Sequence, residues 1–82
     1  MKLTVDISLY PLNEEFIPII KSFIHKLEGY QNITIRKNNI STQISGEYNL
    51  IMDIIRDEVK PIFEKHRSVF VIKILAGDKL SD

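Results

Sequence analysis

Eighty-two residues with eleven basic and eleven acidic side chains make one domain, 1–82, whose charges cancel. The basic surplus or stripe of a nucleic-acid binder is missing, so no nucleic-acid partner is expected. Zero cysteines exclude disulfides, thiolate metal sites and thiol chemistry together, while 44% apolar and 27% charged residues are ordinary globular composition and argue against disorder.

A chain of this length buries only about 60–65% of its unfolded surface. Its core is thin, and association that covers more of the molecule would stabilise it, so an oligomer is expected. No apolar run approaches a transmembrane helix, and the N-terminus enters a patterned strand directly rather than a signal peptide. The expected location is the cytoplasm, with no membrane partner.

The first element is a strand from Leu3 to Tyr10, closed by a turn at Pro11. Leu3, Val5, Ile7 and Leu9 alternate with Thr4, Asp6, Ser8 and Tyr10. This gives one aliphatic face and one face with a carboxylate, two hydroxyls and a phenol. The polar face is the first place to look for a site, because polar groups that become covered need partners. After Tyr10-Pro11-Leu12-Asn13, Asn13 reads as the N-cap of a helix with Glu14 and Glu15 in its first turn, where they suit the helix dipole. Phe16, Ile17, Ile20, Phe23, Ile24 and Leu27 then recur at helical spacing. Pro18 removes a backbone donor, so either the helix proper starts near it or the first turn is loose. Gly29 is the stop signal.

Ile33 and Ile35 alternate with Thr34 and Arg36 in a short second strand. Lys37-Asn38-Asn39 is turn chemistry, since asparagine tolerates left-handed backbone. A third strand sets Ile40, Thr42 and Ile44 against Ser41, Gln43 and Ser45, and Gly46 closes it. Strands this close form an antiparallel hairpin. The second helix runs from about Tyr48 to His66 on a stripe of Leu50, Ile51, Ile54, Ile55, Val59, Ile62 and Phe63, and Pro61 should kink it. Ser68 to Leu75 is almost continuously apolar apart from Lys73, which suggests a strand covered on both faces. Gly77 onward reads as a short tail. The order β-α-β-β-α-β predicts an α+β, ferredoxin-like sandwich: a four-stranded antiparallel sheet with both helices on one face. The other face of the sheet then needs a cover, and a second subunit is the natural one.

Several chemistries can be set aside. His25 and His66 lie on different helices without cysteines or a carboxylate pair, so no metal site is expected and both read as surface residues. Asp6 and Ser8 share a strand face, but no histidine joins them as a base. Acylphosphatases have this topology, yet they need an arginine in a glycine-rich anion-cradling loop after the first strand, where this chain has Tyr10-Pro11-Leu12-Asn13. An RNA-recognition module needs stacked aromatics on its central strands; only Tyr10 and Phe70 are candidates, and the hairpin strands have none. A metallochaperone of this fold needs a pair of cysteines.

What remains is a polar set on and beside the sheet: Asp6, Ser8 and Tyr10 from the first strand, Ser41, Thr42, Gln43 and Ser45 from the third, and Lys73 from the last. In this topology the first and third strands are central neighbours, so these groups can meet. One reading is a hydrated or inter-subunit sheet face. The other is a neutral, hydrogen-bonding pocket for a small flat heterocycle with amino and ring-nitrogen groups. Tyr10 would stack on the ring and Asp6 would pair with a positive charge or an amino group.

Asp6-Ile7-Ser8-Leu9-Tyr10-Pro11-Leu12, Ser41-Thr42-Gln43-Ile44-Ser45-Gly46 and an apolar closing strand with a lysine together resemble the YkoF-like thiamine/hydroxymethylpyrimidine-binding family. The resemblance covers essentially the whole chain as one family repeat. It implies the ferredoxin-like fold and non-catalytic binding of thiamine or its hydroxymethylpyrimidine moiety, in salvage, transport support or sensing, with no cofactor. It also implies a homodimer or homotetramer paired through sheet faces or edges. Some relatives carry two repeats per chain; here a second copy would supply the other. The ligand-binding residues it points to are Asp6, Ser8, Tyr10, Ser41, Thr42 and Gln43. Strand alternation puts Thr42 on the Ile40/Ile44 side and Ser41 and Gln43 on the other, so all three can line one wall only with a bulge. The alternative is an ACT-like structural or regulatory oligomerisation module, whose open face pairs only with its own copies.

Overall fold

The computed structural model describes residues 1–80. Its elements are β1 (Lys2–Pro11), α1 (Phe16–Glu28), β2 (Thr34–Lys37), β3 (Thr42–Glu47), α2 (Tyr48–Lys65) and β4 (Ser68–Ala76). The strands form one sheet in the order β2-β3-β1-β4, and every pairing is antiparallel. This is the ferredoxin-like βαββαβ arrangement that the element order predicts.

The β1 alternation sets the two faces. Leu3, Val5, Ile7 and Leu9 are buried and join Ile44 of β3, Ile19, Phe23 and Leu27 of α1, and Ile51 and Ile54 of α2 in one core. Both helices therefore cover the same face. The α1 stripe that reaches the core is Ile19, Phe23 and Leu27 at four-residue steps. Phe16 and Ile17, apolar in the sequence, are 46% and 53% exposed in the first turn. At the other end of the sheet, Phe70 points to the helix side, edge-on to Phe23 and Phe63 with ring centroids 5.3 and 5.4 Å apart. It is thus a core aromatic, and Tyr10 alone of the two stacking candidates lies on the open face.

Several local signals work differently from their sequence reading. Asn13 does not cap α1; its Oδ1 accepts from the Glu15 backbone N–H at 2.9 Å in a side-chain turn ahead of the helix. Pro18 is the third helical residue, within the first turn whose N–H groups have no helical partner, so it costs no backbone bond. Gly29 ends α1 in right-handed conformation, and the left-handed residue of this loop is Asn32, at φ 64°. Asn38 organises the β2–β3 turn through its side chain, accepting from the N–H groups of Ile40 and Ser41 at 2.8 and 2.9 Å. Pro61 lies inside α2, and the helix continues to Lys65. Tyr30, after α1, donates to Glu58 Oε2 on α2 at 2.6 Å. That contact, with burial and the neighbouring acidic charges, pushes its phenol up to about 12.

β4 is an edge strand, and its open-face positions are bare. Val69, Val71 and Leu75 lie opposite Tyr10, Ser8 and Thr4 and are 47%, 51% and 44% exposed. The expectation of a strand covered on both faces is not met within one chain. The segment after β4 is more than a tail. Thr4 Oγ1 donates to the Gly77 carbonyl at 2.7 Å and accepts from the Lys79 N–H at 2.9 Å, while Ser45 donates to Asp78 at 2.8 Å. Leu80 is buried by this return, and the segment covers the Thr4/Ser45 end of the open face.

Candidate functional site

The site begins where two strands part. β1 pairs with β3 from Lys2↔Glu47 to Ile7↔Thr42 and no further, whereas its pairing with β4 runs on to Pro11↔Ser68. From Ser8 onward β1 has a strand neighbour on one side only. Asn38 pulls the chain before β3 into its turn, so residues 38–41 leave the sheet. The opening is a notch of about 90 Å³ between the strand ends and α1.

Its back wall is apolar, formed by Ile20, Phe23 and Ile24 of α1 with Ile7 and Leu9 of β1. Its rim is polar and neutral: Ser8, Ser41, Thr42, Asn38 and Asn39. Ile40 stands at the mouth, 81% exposed. The Thr42 hydroxyl makes no hydrogen bond within the described residues, and no buried side-chain polar atom there lacks a partner. Its hydroxyl therefore opens on the notch and is not lost in the core.

Beside the notch, on the open face, Asp6 and Gln43 face each other across the β1–β3 pair. Gln43 Nε2 donates to Asp6 Oδ1 at 2.7 Å and to Ser41 Oγ at 2.8 Å. A carboxylate only accepts, which fixes the orientation of the amide and uses both its N–H donors. Gln43 can thus offer an outside group only its Oε1 acceptor. Hydrogen bonding by Gln43, then by Ser41, with help from the Lys73 charge and against a small burial effect, holds the Asp6 carboxyl below its ordinary value. Lys73 is the β4 neighbour of Asp6.

The six candidate residues are therefore not one wall. Ser8, Ser41 and Thr42 line the notch. Asp6 and Gln43 form a hydrogen-bonded pair outside it, with Ser41 shared between the two groups. Tyr10 lies further along β1 against Val69, 52% exposed. Thr42 does sit on the helix-facing side, paired with Ile7, and no bulge brings it to Gln43. It meets Ser41 because a strand end can be approached from both faces. Of the wider polar set, Ser45 is covered by the C-terminal return and is out of reach. The sequence reading missed Asn38, Asn39 and the α1 wall. Asn38 carried a turn signal, but its place at the rim follows from packing.

Nothing in the notch is a carboxylate, imidazole, ammonium, guanidinium or phenol. Among the described residues no three of His, Cys, Asp and Glu gather as a metal site, and no helix is long and apolar enough to cross a membrane.

The profile of the YKOF-related family matches residues 2–75. A Streptococcus pneumoniae protein of known crystal structure is 23% identical, with a TM-score of 0.85 over 99% of this chain and 92% of its own. A Thermotoga maritima protein provisionally assigned to thiamine biosynthesis or salvage is 22% identical, with a TM-score of 0.82 over 94% of this chain and 85% of its own. A hypothetical protein from Methanocaldococcus jannascii is 18% identical, with a TM-score of 0.78 over 95% and 82%. At these identities the likeness is one of fold. No curated protein matches the sequence.

Proposed function

We propose that this chain, which belongs to the YKOF-related family, binds thiamine or its hydroxymethylpyrimidine moiety without transforming it. The observation that carries the reading is the notch: an apolar back wall faced by a neutral rim of hydroxyls and amides. An aminopyrimidine is flat enough to slide against Ile20, Phe23 and Ile24. Its ring nitrogens accept hydrogen bonds from the hydroxyls of Ser8 and Thr42. Its amino group donates to the acceptors at the edge, Asp6 and Gln43 Oε1. Tyr10 is too far along the strand to stack in the notch and instead flanks its approach. The Thermotoga maritima neighbour, provisionally placed in thiamine biosynthesis or salvage, supports the same ligand class.

The notch is smaller than the ~300–1,000 Å³ of usual ligand pockets, so a single chain supplies one ring site, and the rest of the ligand or a second copy completes it. The second copy belongs to the proposal as a homodimer. The apolar strip of Val69, Val71 and Leu75 with Tyr10 is the surface it would cover. That strip also favours the second reading, an assembly module with no ligand. Titration calorimetry with thiamine and with hydroxymethylpyrimidine separates the two. Saturable micromolar binding, about −8 kcal/mol, at one site per chain is expected, and Thr42→Val should weaken it roughly tenfold through one lost hydrogen bond to a desolvated partner. No heat with either ligand would leave the assembly reading.

A further inference from the structure

We infer that the notch takes its ligand as a phosphate monoester, with the phosphate held in a basic hollow next to the ring site; the inference rests on the ring-binding reading. The hollow, about 520 Å³, lies between α1 and the β2–β3 turn and is lined by Lys21, Ile24, His25, Glu28, Lys37 and Asn38. Ile24 and Asn38 also line the notch, so the two spaces share a wall and one extended ligand can span both.

The hollow gathers basic side chains that the notch itself lacks. Lys21 and His25 are one helical turn apart on α1, on the same face. Lys37 reaches in from the end of β2 and is 2.9 Å from Glu28 Oε2. Lys21 has no ion pair among the described residues, so the hollow keeps a spare positive charge after Glu28 is counted. Asn38 adds a donor. Its Oδ1 is taken by two backbone N–H groups, which leaves its amide N–H₂ as the end presented outward. A phosphate monoester near neutral pH brings about −1.5 to −2 charges and three acceptor oxygens, and lysines serve it as point charges around a shared anion. The same lysines repel a cationic ring, so the hollow selects an anionic extension of the pyrimidine over the thiazolium of thiamine. Glu28 opposes the anion and occupies Lys37 until the ligand displaces it.

The test is calorimetry at fixed salt with hydroxymethylpyrimidine and, separately, its phosphate ester, on the wild type and on Lys21→Ala, Lys37→Ala and Glu28→Gln. These residues are exposed, and unchanged far-ultraviolet circular dichroism confirms that each variant folds. The ester is expected to bind the wild type at least about tenfold more tightly, an advantage that shrinks several-fold in both lysine variants, grows in Glu28→Gln and falls with added salt. Equal affinities for the two compounds, or a preference that survives both lysine substitutions, overturn the phosphate site and leave the ring site standing. Binding of neither compound overturns the ring site and the phosphate site together.

Discussion

Asp6 ties a charge on the open face to the stability of the sheet. Gln43 donates to it at 2.7 Å across the β1–β3 pair, and its carboxyl is held below the ordinary value of 3.8. A carboxylate whose folded pKa is depressed contributes stability above the unfolded value, and that contribution is lost as pH falls through the folded one. Acidification below about pH 4 should therefore remove roughly 1 kcal/mol that the ionised contact supplies. Asp6→Asn keeps an acceptor for Gln43 but no longer titrates. Urea unfolding across the acid range should show a shallower loss of stability in the variant, and parallel curves would mean that the contact carries no charge-dependent energy. The same pair explains how the site can be polar without a buried charge standing alone. Asp6 and Gln43 satisfy each other, and only the Gln43 carbonyl and the outer carboxylate oxygen remain for a ligand.

β3 is the element on which site and core both depend. Its start defines the notch, because pairing with β1 ceases at Ile7↔Thr42. Near its end, at Gly46, it passes close to the loop that follows α1. A Cβ built at Gly46 would stand 3.2 Å from the Asn32 carbonyl oxygen, 3.3 Å from Ile33 Cγ2 and 3.4 Å from Ile51 Cδ1. The backbone oxygen is the contact that cannot step aside. Gly46→Ala should cost about 1–3 kcal/mol, the usual range for overpacking, read as a lower urea midpoint. A neutral result would mean that the Asn32 loop yields, which its left-handed residue makes costly. β4 poses the opposite problem. Its apolar open-face side chains have no cover in one chain, so their cost to solubility falls as copies associate. Val71, opposite Ser8 near the middle of that face, is 51% exposed. Val71→Lys should leave the fold intact and shift sedimentation from dimer to monomer. A wild type that sediments as a monomer would remove the dimer from the proposal.

At the scale of the whole molecule, the return of residues 77–80 decides how much open face there is. Leu80 is 7% exposed although it lies only two residues from the end of the sequence, and Thr4 and Ser45 reach it through Gly77, Asp78 and Lys79. Leu80→Ala should cost about 2 kcal/mol and lower the midpoint of thermal unfolding by roughly 8–16 °C in a domain of this size; an unchanged midpoint would mean that the return contributes nothing to the fold. Local chemistry determined most of the architecture. The Leu3–Tyr10 alternation, the helical stripes and Asn38 before β3 each impose a period or a turn on their own residues, the apolar run of β4 broken only by Lys73 marks a strand, and their order leaves one simple antiparallel sheet. Local chemistry also predicts opposite faces for Ser41 and Thr42, since side-chain direction along a strand has period two, although the strand itself begins only at Thr42. Only the tertiary structure decided that Ser41 and Thr42 nevertheless share an opening. Where a strand leaves the sheet is set by how far its neighbour continues, here by β1 running on beside β4 after β3 has stopped. The same holds for the basic hollow, whose lysines come from a helix and a strand sixteen residues apart, and for the C-terminal return, whose polar residues show no period and find their partners on strands far away in the chain.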